Sequence, residues 1–220
     1  MLKRSTIHLQ EKLMQTWPGR ALDPRGIVRI SNESGEKHPI FWIFNSARTA
    51  EALAKFLGPD QPIVFTRSTT LMFSEFEARS KGAEELSRHA LLYIKKEVDF
   101  TNLRIGTACE GNKLLSLICA DLKESGAKIP ALYLINCSLL LPALGLPALL
   151  IYGDEDLRYD PFCDPSRDAE YEASCKFSKF RRVVLPAKHA RYFTPKNIRK
   201  GWENYEEFLS ELSISAAASS

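Results

Sequence analysis

Leu103-Arg104-Ile105-Gly106-Thr107-Ala108-Cys109-Glu110-Gly111 is the stretch on which the fold turns. Residues 103–107 read as a strand. Residues 109–125 read as a helix stopped by Gly126, and no loop separates the two. Small residues, Thr107 and Gly111, flank Cys109 at minus two and plus two. That is the layout of a nucleophile elbow, G-x-S-x-G, with Thr for the first glycine and Cys for the serine. A nucleophile on such a turn occupies a strained backbone position, and only small neighbours let strand and helix approach closely. The turn opens a helix, so its free N–H groups and positive dipole end face the reacting atom. They are expected to lower the thiol pKa and to stabilise an oxyanion. A plain buried cysteine is the competing reading of these residues.

Outward from the elbow the pattern alternates. Strands are expected over residues 27–30, 39–44 (a run buried on both faces), 62–66, 131–135, 148–152 and 182–185. Helices are expected over 47–57, with Gly58 as its stop, over 81–98, with Leu86, Ala90, Tyr93 and Ile94 on one stripe, and over 197–212. Such alternation implies a mostly parallel, twisted sheet covered by helices on both faces. Ligand sites in these sheets lie beyond the carboxyl ends of the strands, so the polar residues that follow each strand are the candidates.

Two candidates join Cys109. The strand at 148–152 ends in Gly153-Asp154-Glu155-Asp156, and Asp156 is chosen as an orienting acid, with Asp154 and Asp160 read as solvated loop charges. His189 follows the strand at 182–185 and precedes the final helix; His8, His38 and His89 are read as surface residues. The chain order Cys109, Asp156, His189 is nucleophile, acid, base, the order used by α/β-hydrolases.

Composition bounds the rest. A length of 220 residues suits one domain, and a net charge of 30 − 27 = +3 is too small to argue for nucleic acid. No apolar run reaches the roughly 18–20 residues of a membrane helix, since Pro142, Gly145 and Pro147 break the longest one. The basic start is soon followed by Gln10, Glu11 and Lys12, which is not a signal peptide. Five scattered cysteines with no CxxC pair point away from metal and redox motifs and toward a reduced, cytoplasmic setting, each thiol most simply a small buried residue. Residues 1–25 are expected to form a peripheral segment or linker, 26–213 the domain, and 214–220 a flexible tail. Ile7, Met14 and Trp17 would share one face of a short helix stopped at Pro18-Gly19.

The stretch Pro39-Ile40-Phe41-Trp42-Ile43-Phe44, the helix ending Leu57-Gly58 and the Gln61-Pro62 strand start resemble the thioesterase domains of polyketide and nonribosomal peptide synthases. The resemblance continues through the helix at 81–98, the Cys109 elbow and the strand at 131–135. It ends on His189 followed by Tyr192-Phe193-Thr194-Pro195-Lys196-Asn197-Ile198. It implies an α/β-hydrolase fold and acyl transfer from a carrier-protein thioester, with no cofactor beyond the phosphopantetheine arm that presents the substrate. Partners would be an acyl or peptidyl carrier protein and other synthase domains, with no nucleic acid and no membrane. The oxyanion donors would be the backbone N–H groups of Ser46 and Glu110.

The departures from that family are specific. Its H-G-x-G-G loop is replaced by Phe44-Asn45-Ser46-Ala47-Arg48. Many members carry the acid after the strand that ends here at Ile135, where this chain has Asn136-Cys137; Asn136 is thus the alternative acid position. Only residues 136–145 separate the two strands between which the family inserts a helical lid. A parallel crossover needs about a dozen residues, so the lid is reduced or absent. Residues 157–179 are the other insertion large enough to move over the site. Arg48, Lys188 and Arg191 are candidates for a basic collar that docks an acidic carrier. Two rival functions are a dienelactone-hydrolase-like small ester or lactone hydrolase, and a degenerate domain that binds acyl chains or a carrier without turnover.

Overall fold

The computed structural model describes residues 5–69, 72, 76–97, 102–189 and 191–217. Its strands are β1 (Arg20–Ala21), β2 (Arg29–Ser31), β3 (Ile40–Phe44), β4 (Ile63–Arg67), β5 (Arg104–Ala108), β6 (Leu132–Ile135), β7 (Leu146–Gly153) and β8 (Phe177–Leu185). They form one sheet in the order β1-β2-β4-β3-β5-β6-β7-β8. β3 to β8 run parallel, and only β1 and β2, at one edge, are antiparallel to their neighbours. The helices are α1 (Thr6–Met14), α2 (Ala47–Leu57), α3 (Phe76–Glu97), α4 (Asn112–Glu124), α5 (Ala169–Lys176) and α6 (Pro195–Ala217).

Alternating strand residues explain why β3 reads as an unbroken apolar run. Phe41 and Ile43 face a core shared with α3, α4 and α5, while Ile40, Trp42 and Phe44 face a second core under α2 and α6. Both faces are covered, so no position of the strand tolerates a polar side chain. Leu86, Ala90 and Ile94 of α3 are fully buried, as the stripe predicts. α2 has the expected bounds, with Ser46 as N-cap and Gly58, in the left-handed region at φ 79°, as C-cap.

Several boundaries differ from expectation. α1 packs its Met14 into the core and its Gln10 Nε2 donates to the Arg67 carbonyl at 2.6 Å, while β1 adds an edge strand that the sequence did not signal. α6 continues to Ala217, beyond the expected helix end; residues 218–220, like Val98 in the helix expected over 81–98, lie outside those described. The connection from β6 to β7 contains no helix. Cys137, Leu139, Leu141 and Leu144 bury themselves there instead, filling the space beside α4 that a crossover helix would occupy.

Residues 157–179, the insertion large enough to move over the site, form a packed crossover. Two short turns, Leu157–Tyr159 and Pro161–Cys163, lead to α5, whose Ala169 and Ala173 join the core. β8 begins at Phe177, five residues before the expected start, because this edge strand carries Lys179, Arg181 and Arg182 on partly exposed positions and lacks an apolar run. Asp160 is not the solvated loop charge expected. Its side chain is fully buried, and Oδ2 accepts from Arg182 Nη2 at 2.6 Å and Nε at 3.2 Å, while Oδ1 accepts from Phe162 N at 3.1 Å. Losing all three bonds leaves Arg182 without its carboxylate. Asp160→Ala is therefore expected to lower the unfolding free energy by about 1–3 kcal/mol, read as a lower denaturant midpoint at unchanged slope.

Candidate functional site

β5 ends at Ala108, and Cys109 follows with φ 50°, a left-handed conformation that a residue bearing a Cβ adopts at a cost of roughly 1–2 kcal/mol. This is the strained turn the elbow motif requires. A short 3₁₀ turn, Cys109–Gly111, precedes α4. The two flanking residues explain each other. A Cβ on Gly111 would overlap Thr107 Oγ1, and Thr107 Oγ1 donates to the Ile43 carbonyl at 3.1 Å. Threonine thus stands at the first glycine position of the G-x-S-x-G pattern without an unpaired hydroxyl, provided the second glycine stays.

Asn45, not singled out from the sequence, stabilises the loop that lacks the family's glycines. Its Nδ2 donates to the Ala108 carbonyl at 3.1 Å and its Oδ1 accepts from Ser68 Oγ at 2.6 Å, tying the ends of β3, β4 and β5 together. Ser46 caps α2, and Glu110 sits in the 3₁₀ turn, so the two residues follow adjacent strands at one end of the sheet.

Asp156 and His189 meet at the same end. Gly153 closes β7 in register with Leu185, and a Cβ there would overlap the Ala187 carbonyl; its absence lets the two loops converge. Asp154 is exposed but structural, its Oδ1 accepting from Ala187 N at 3.1 Å. Asn197 of α6 donates to the carbonyls of Arg191 at 3.0 Å and Pro186 at 3.4 Å, fixing the histidine loop from the other side. Asp156 is 5% exposed. Its Oδ2 lies 3.0 Å from His189 Nδ1, and accepts from Asn136 Nδ2 at 3.1 Å and Tyr192 Oη at 3.1 Å. Three donors converge on one buried carboxylate oxygen, which is what ionisation out of water demands. Tyr192 was visible in the sequence only as part of the family's histidine segment. Its phenol is held protonated, first by burial and then by the neighbouring carboxylate, and so remains a donor.

The ring of His189 lies tilted against that of Tyr159, with centroids 4.7 Å apart and planes at 34°, and its side chain is 49% exposed. A cavity of about 510 Å³ opens beside it, lined by Asp156, Leu157, Arg158, Lys188 and the acidic pair Asp154 and Glu155. Lys188 is not a free cation, since its Nζ lies 3.4 Å from Glu155 Oε2. Arg48 and Arg191 are exposed.

The Cys109 thiol is pushed up to about 11, against the lowering expected from a helix start. Burial is the largest cause; Asp156 and Glu110 add to it, and a hydrogen bond from Asn136 opposes it. Because α4 begins only at Asn112, Cys109 lies one turn before the helix proper. Burial thus favours the neutral thiol over the thiolate. Among the described residues no hydrogen bond joins Cys109 to His189; its side-chain partner is Asn136 Nδ2, 3.9 Å away.

The other expected surface residues divide. His8 and His38 lie at the surface or half-buried, but His89 Nε2 lies 3.1 Å from Oδ1 of buried Asp23. All five cysteines are free; Cys119 and Cys137 are buried, whereas Cys163 and Cys175 are exposed, against the expectation of burial. Among the described residues no cluster of three metal-ligating side chains occurs, and no helix is long and apolar enough to cross a membrane.

A mostly parallel sheet with helices on both faces, a strained residue after its fifth strand, and an acid–histidine pair after the last two define the α/β-hydrolase fold. Solved structures similar to this chain include thioesterase domains and esterases. The NocB thioesterase domain, seen in covalent complex with a fluorophosphonate nocardicin G analog, is 12% identical with a TM-score of 0.59, covering 82% of this chain and 98% of that one. The thioesterase domain SrfTE, described for cyclization of the lipopeptide antibiotic surfactin, is 14% identical with a TM-score of 0.52 over 83% and 95%. An esterase from Rhizomucor miehei is 15% identical with a TM-score of 0.56 over 88% and 80%. Identities this low speak to the fold alone. No family model and no curated protein sequence matches the chain.

The Thr107–Gly111 contact gives a stability test of the elbow. Gly111→Ala is expected to cost about 1–3 kcal/mol through overpacking. Adding Thr107→Gly removes the atom it strikes, so the double variant should be more stable than the sum of the single losses. The coupling is read from denaturant unfolding of the four proteins.

Proposed function

We propose that this chain is a thioesterase-like acyl transferase that takes an acyl group from a carrier-protein thioester onto Cys109 and passes it to water or another nucleophile. The observation that carries the reading is the left-handed Cys109 at the end of β5, on the same side of the sheet as the Asp156–His189 pair. A cysteine that only filled space would not be held at φ 50°.

In the proposed reaction the Cys109 S–H bond breaks, its proton passes to the free ring nitrogen of His189, and the sulfur attacks the thioester carbonyl carbon. The backbone N–H groups of Ser46 and Glu110 receive the developing oxyanion. The carbon–sulfur bond to the pantetheine arm then breaks, and the departing thiolate takes the proton from His189. Water or an acceptor hydroxyl or amine gives a proton to the same nitrogen and attacks the acyl-cysteine; the carbon–sulfur bond to Cys109 breaks, and the departing sulfur takes that proton back from His189. Asp156 orients His189 and balances its transient charge. Acyl-cysteine is itself a thioester, close in energy to the substrate, which suits relay to a chosen acceptor as well as hydrolysis. The similar NocB and SrfTE domains, with a four-domain nonribosomal peptide synthetase of which 20% aligns with 83% of this chain at 12% identity and a TM-score of 0.63, lend weight to a carrier-bound substrate in polyketide or peptide biosynthesis. Five free cysteines suit a cytoplasmic setting.

One observation favours the rival binding-only reading: among the described residues Cys109 has no hydrogen bond to His189. Incubation with a small acyl thioester separates the two. Mass spectrometry should find the acyl group on Cys109, and turnover without any such adduct would overturn the proposal. Cys109→Ser should lose activity, because a hydroxyl is a poorer acid and needs a better aligned base. Asp156→Asn should lower turnover on the order of 100-fold or more with the fold intact.

Carrier docking is assigned to Arg48 and Arg191, since Lys188 is already paired with Glu155 at 3.4 Å. Rim charges act on encounter and salt dependence. Reversing both arginines to Glu should raise KM for carrier-bound substrate several-fold and leave activity on a small soluble thioester unchanged. Equal losses on both substrates would contradict a docking role.

A further inference from the structure

Asn136 follows β6 in a left-handed conformation, φ 51°, and is 6% exposed. Its backbone N–H donates to the Ile151 carbonyl at 2.7 Å, which fixes the side chain over the site. Nδ2 donates to Asp156 Oδ2 at 3.1 Å, lies 3.2 Å from His189 Nδ1 and reaches Cys109 Sγ at 3.9 Å. The opposite amide orientation would set Oδ1 against the Asp156 carboxylate, so the nitrogen faces the acid. The remaining oxygen, Oδ1, is buried with no hydrogen-bond partner among the described residues. Leaving such an acceptor unpaired costs about 1–3 kcal/mol. A side chain kept for packing alone would not carry that cost; one kept for its N–H₂ group would.

We infer that Asn136 is a catalytic residue of the Cys109 site, its carboxamide spanning acid and nucleophile: one N–H is donated to Asp156 Oδ2 and the other to Cys109 Sγ as the thiolate forms. The inference deepens the proposed function and rests on Cys109 being the nucleophile. An amide nitrogen has two hydrogens, enough for both bonds. When the S–H proton leaves for His189, the sulfur keeps the electron pair. Asp156 and Glu110 face it with like charge, and besides His189 the other titratable neighbours are buried Cys137 and Tyr192. Asn136 is the side chain among these that favours the charged sulfur. Its bond to Asp156 holds it in place, and also shares the negative charge nearest the thiolate.

Alkylation of the full chain by iodoacetamide at pH 9, resolved by peptide mass spectrometry, tests this without any thioester. Exposed Cys163 and Cys175 are internal references. Asn136→Gly keeps the left-handed backbone and removes the amide. Below the thiol midpoint one pKa unit is a tenfold change in thiolate, so Cys109 should react about three- to tenfold more slowly in this variant, with Cys163 and Cys175 unchanged. Emptying the space beside the sulfur improves access, so slowing has no steric explanation. Asn136→Asp keeps the size and removes the N–H₂ group; the proton that two carboxyls so close must share lies between them, so no donor is left for the sulfur and Cys109 should slow likewise. A natively melting Asn136→Gly protein that reacts at the wild-type rate or faster would overturn the inference. If that variant does not fold, wild-type reactivity of Cys109 in Asn136→Asp overturns it instead. A Cys109 that shows these rates yet never takes an acyl group would refute the proposed function and leave the role of Asn136 toward the sulfur standing.

Discussion

The left-handed backbone at Cys109 is the constraint around which this molecule is arranged. A strain of roughly 1–2 kcal/mol persists only where its surroundings over-determine it. Here β5 is paired on both sides, to β3 and β6, so the strand cannot relax at its end. Thr107 is bonded to Ile43, Gly111 leaves room for Thr107, and Asn45 holds the Ala108 carbonyl. Each restraint comes from a different element, and together they present one sulfur above the sheet.

The acid and the histidine need a second set of restraints, since both sit on loops. The loop after β7 is anchored at one end by the Asp154–Ala187 bond and at the other by the Asp160–Arg182 pair. Between them Asp156 is buried, and a buried carboxylate stays ionised only if donors surround it. Asn136 follows β6, whereas Tyr192 and His189 both lie on the loop after β8. The ion therefore acts as a clasp that holds the ends of β6 and β7 and the loop after β8 in one geometry. The same loop would be free to move if residues 157–179 were a flap, which the burial of Ala169 and Ala173 rules out.

Legibility in the sequence followed the distance over which each signal acts. β3, α2 and the α3 stripe were readable because local periodicity and caps set them. The order of Cys109, Asp156 and His189 was readable because each follows a strand directly. β1, with two residues, and the first half of β8, with lysine and arginine on an edge, have no apolar pattern to find. Asp160 and His89 were misread as surface groups because their partners lie 22 and 66 residues away in the chain. The direction of the Cys109 thiol was misread because a motif reports the neighbouring helix, whereas burial is a property of the finished fold. Asn136 was noticed as a missing acid, but its contact with the sulfur depends on a φ of 51° that no spacing reveals.

The short connection after β6 and the identity of residue 136 belong to one physical argument. With no helix between β6 and β7, the chain must turn at once, and Asn136 supplies a left-handed residue at the turn more readily than most side chains do. That turn brings its amide within hydrogen-bond reach of Asp156. A second carboxylate there would face the first at about 3 Å, and like charges so close cannot both stay ionised. One would hold a proton, and His189 would lose a clear partner. An amide keeps a single negative charge beneath the imidazole, so that a proton taken from Cys109 creates one ion pair in the site.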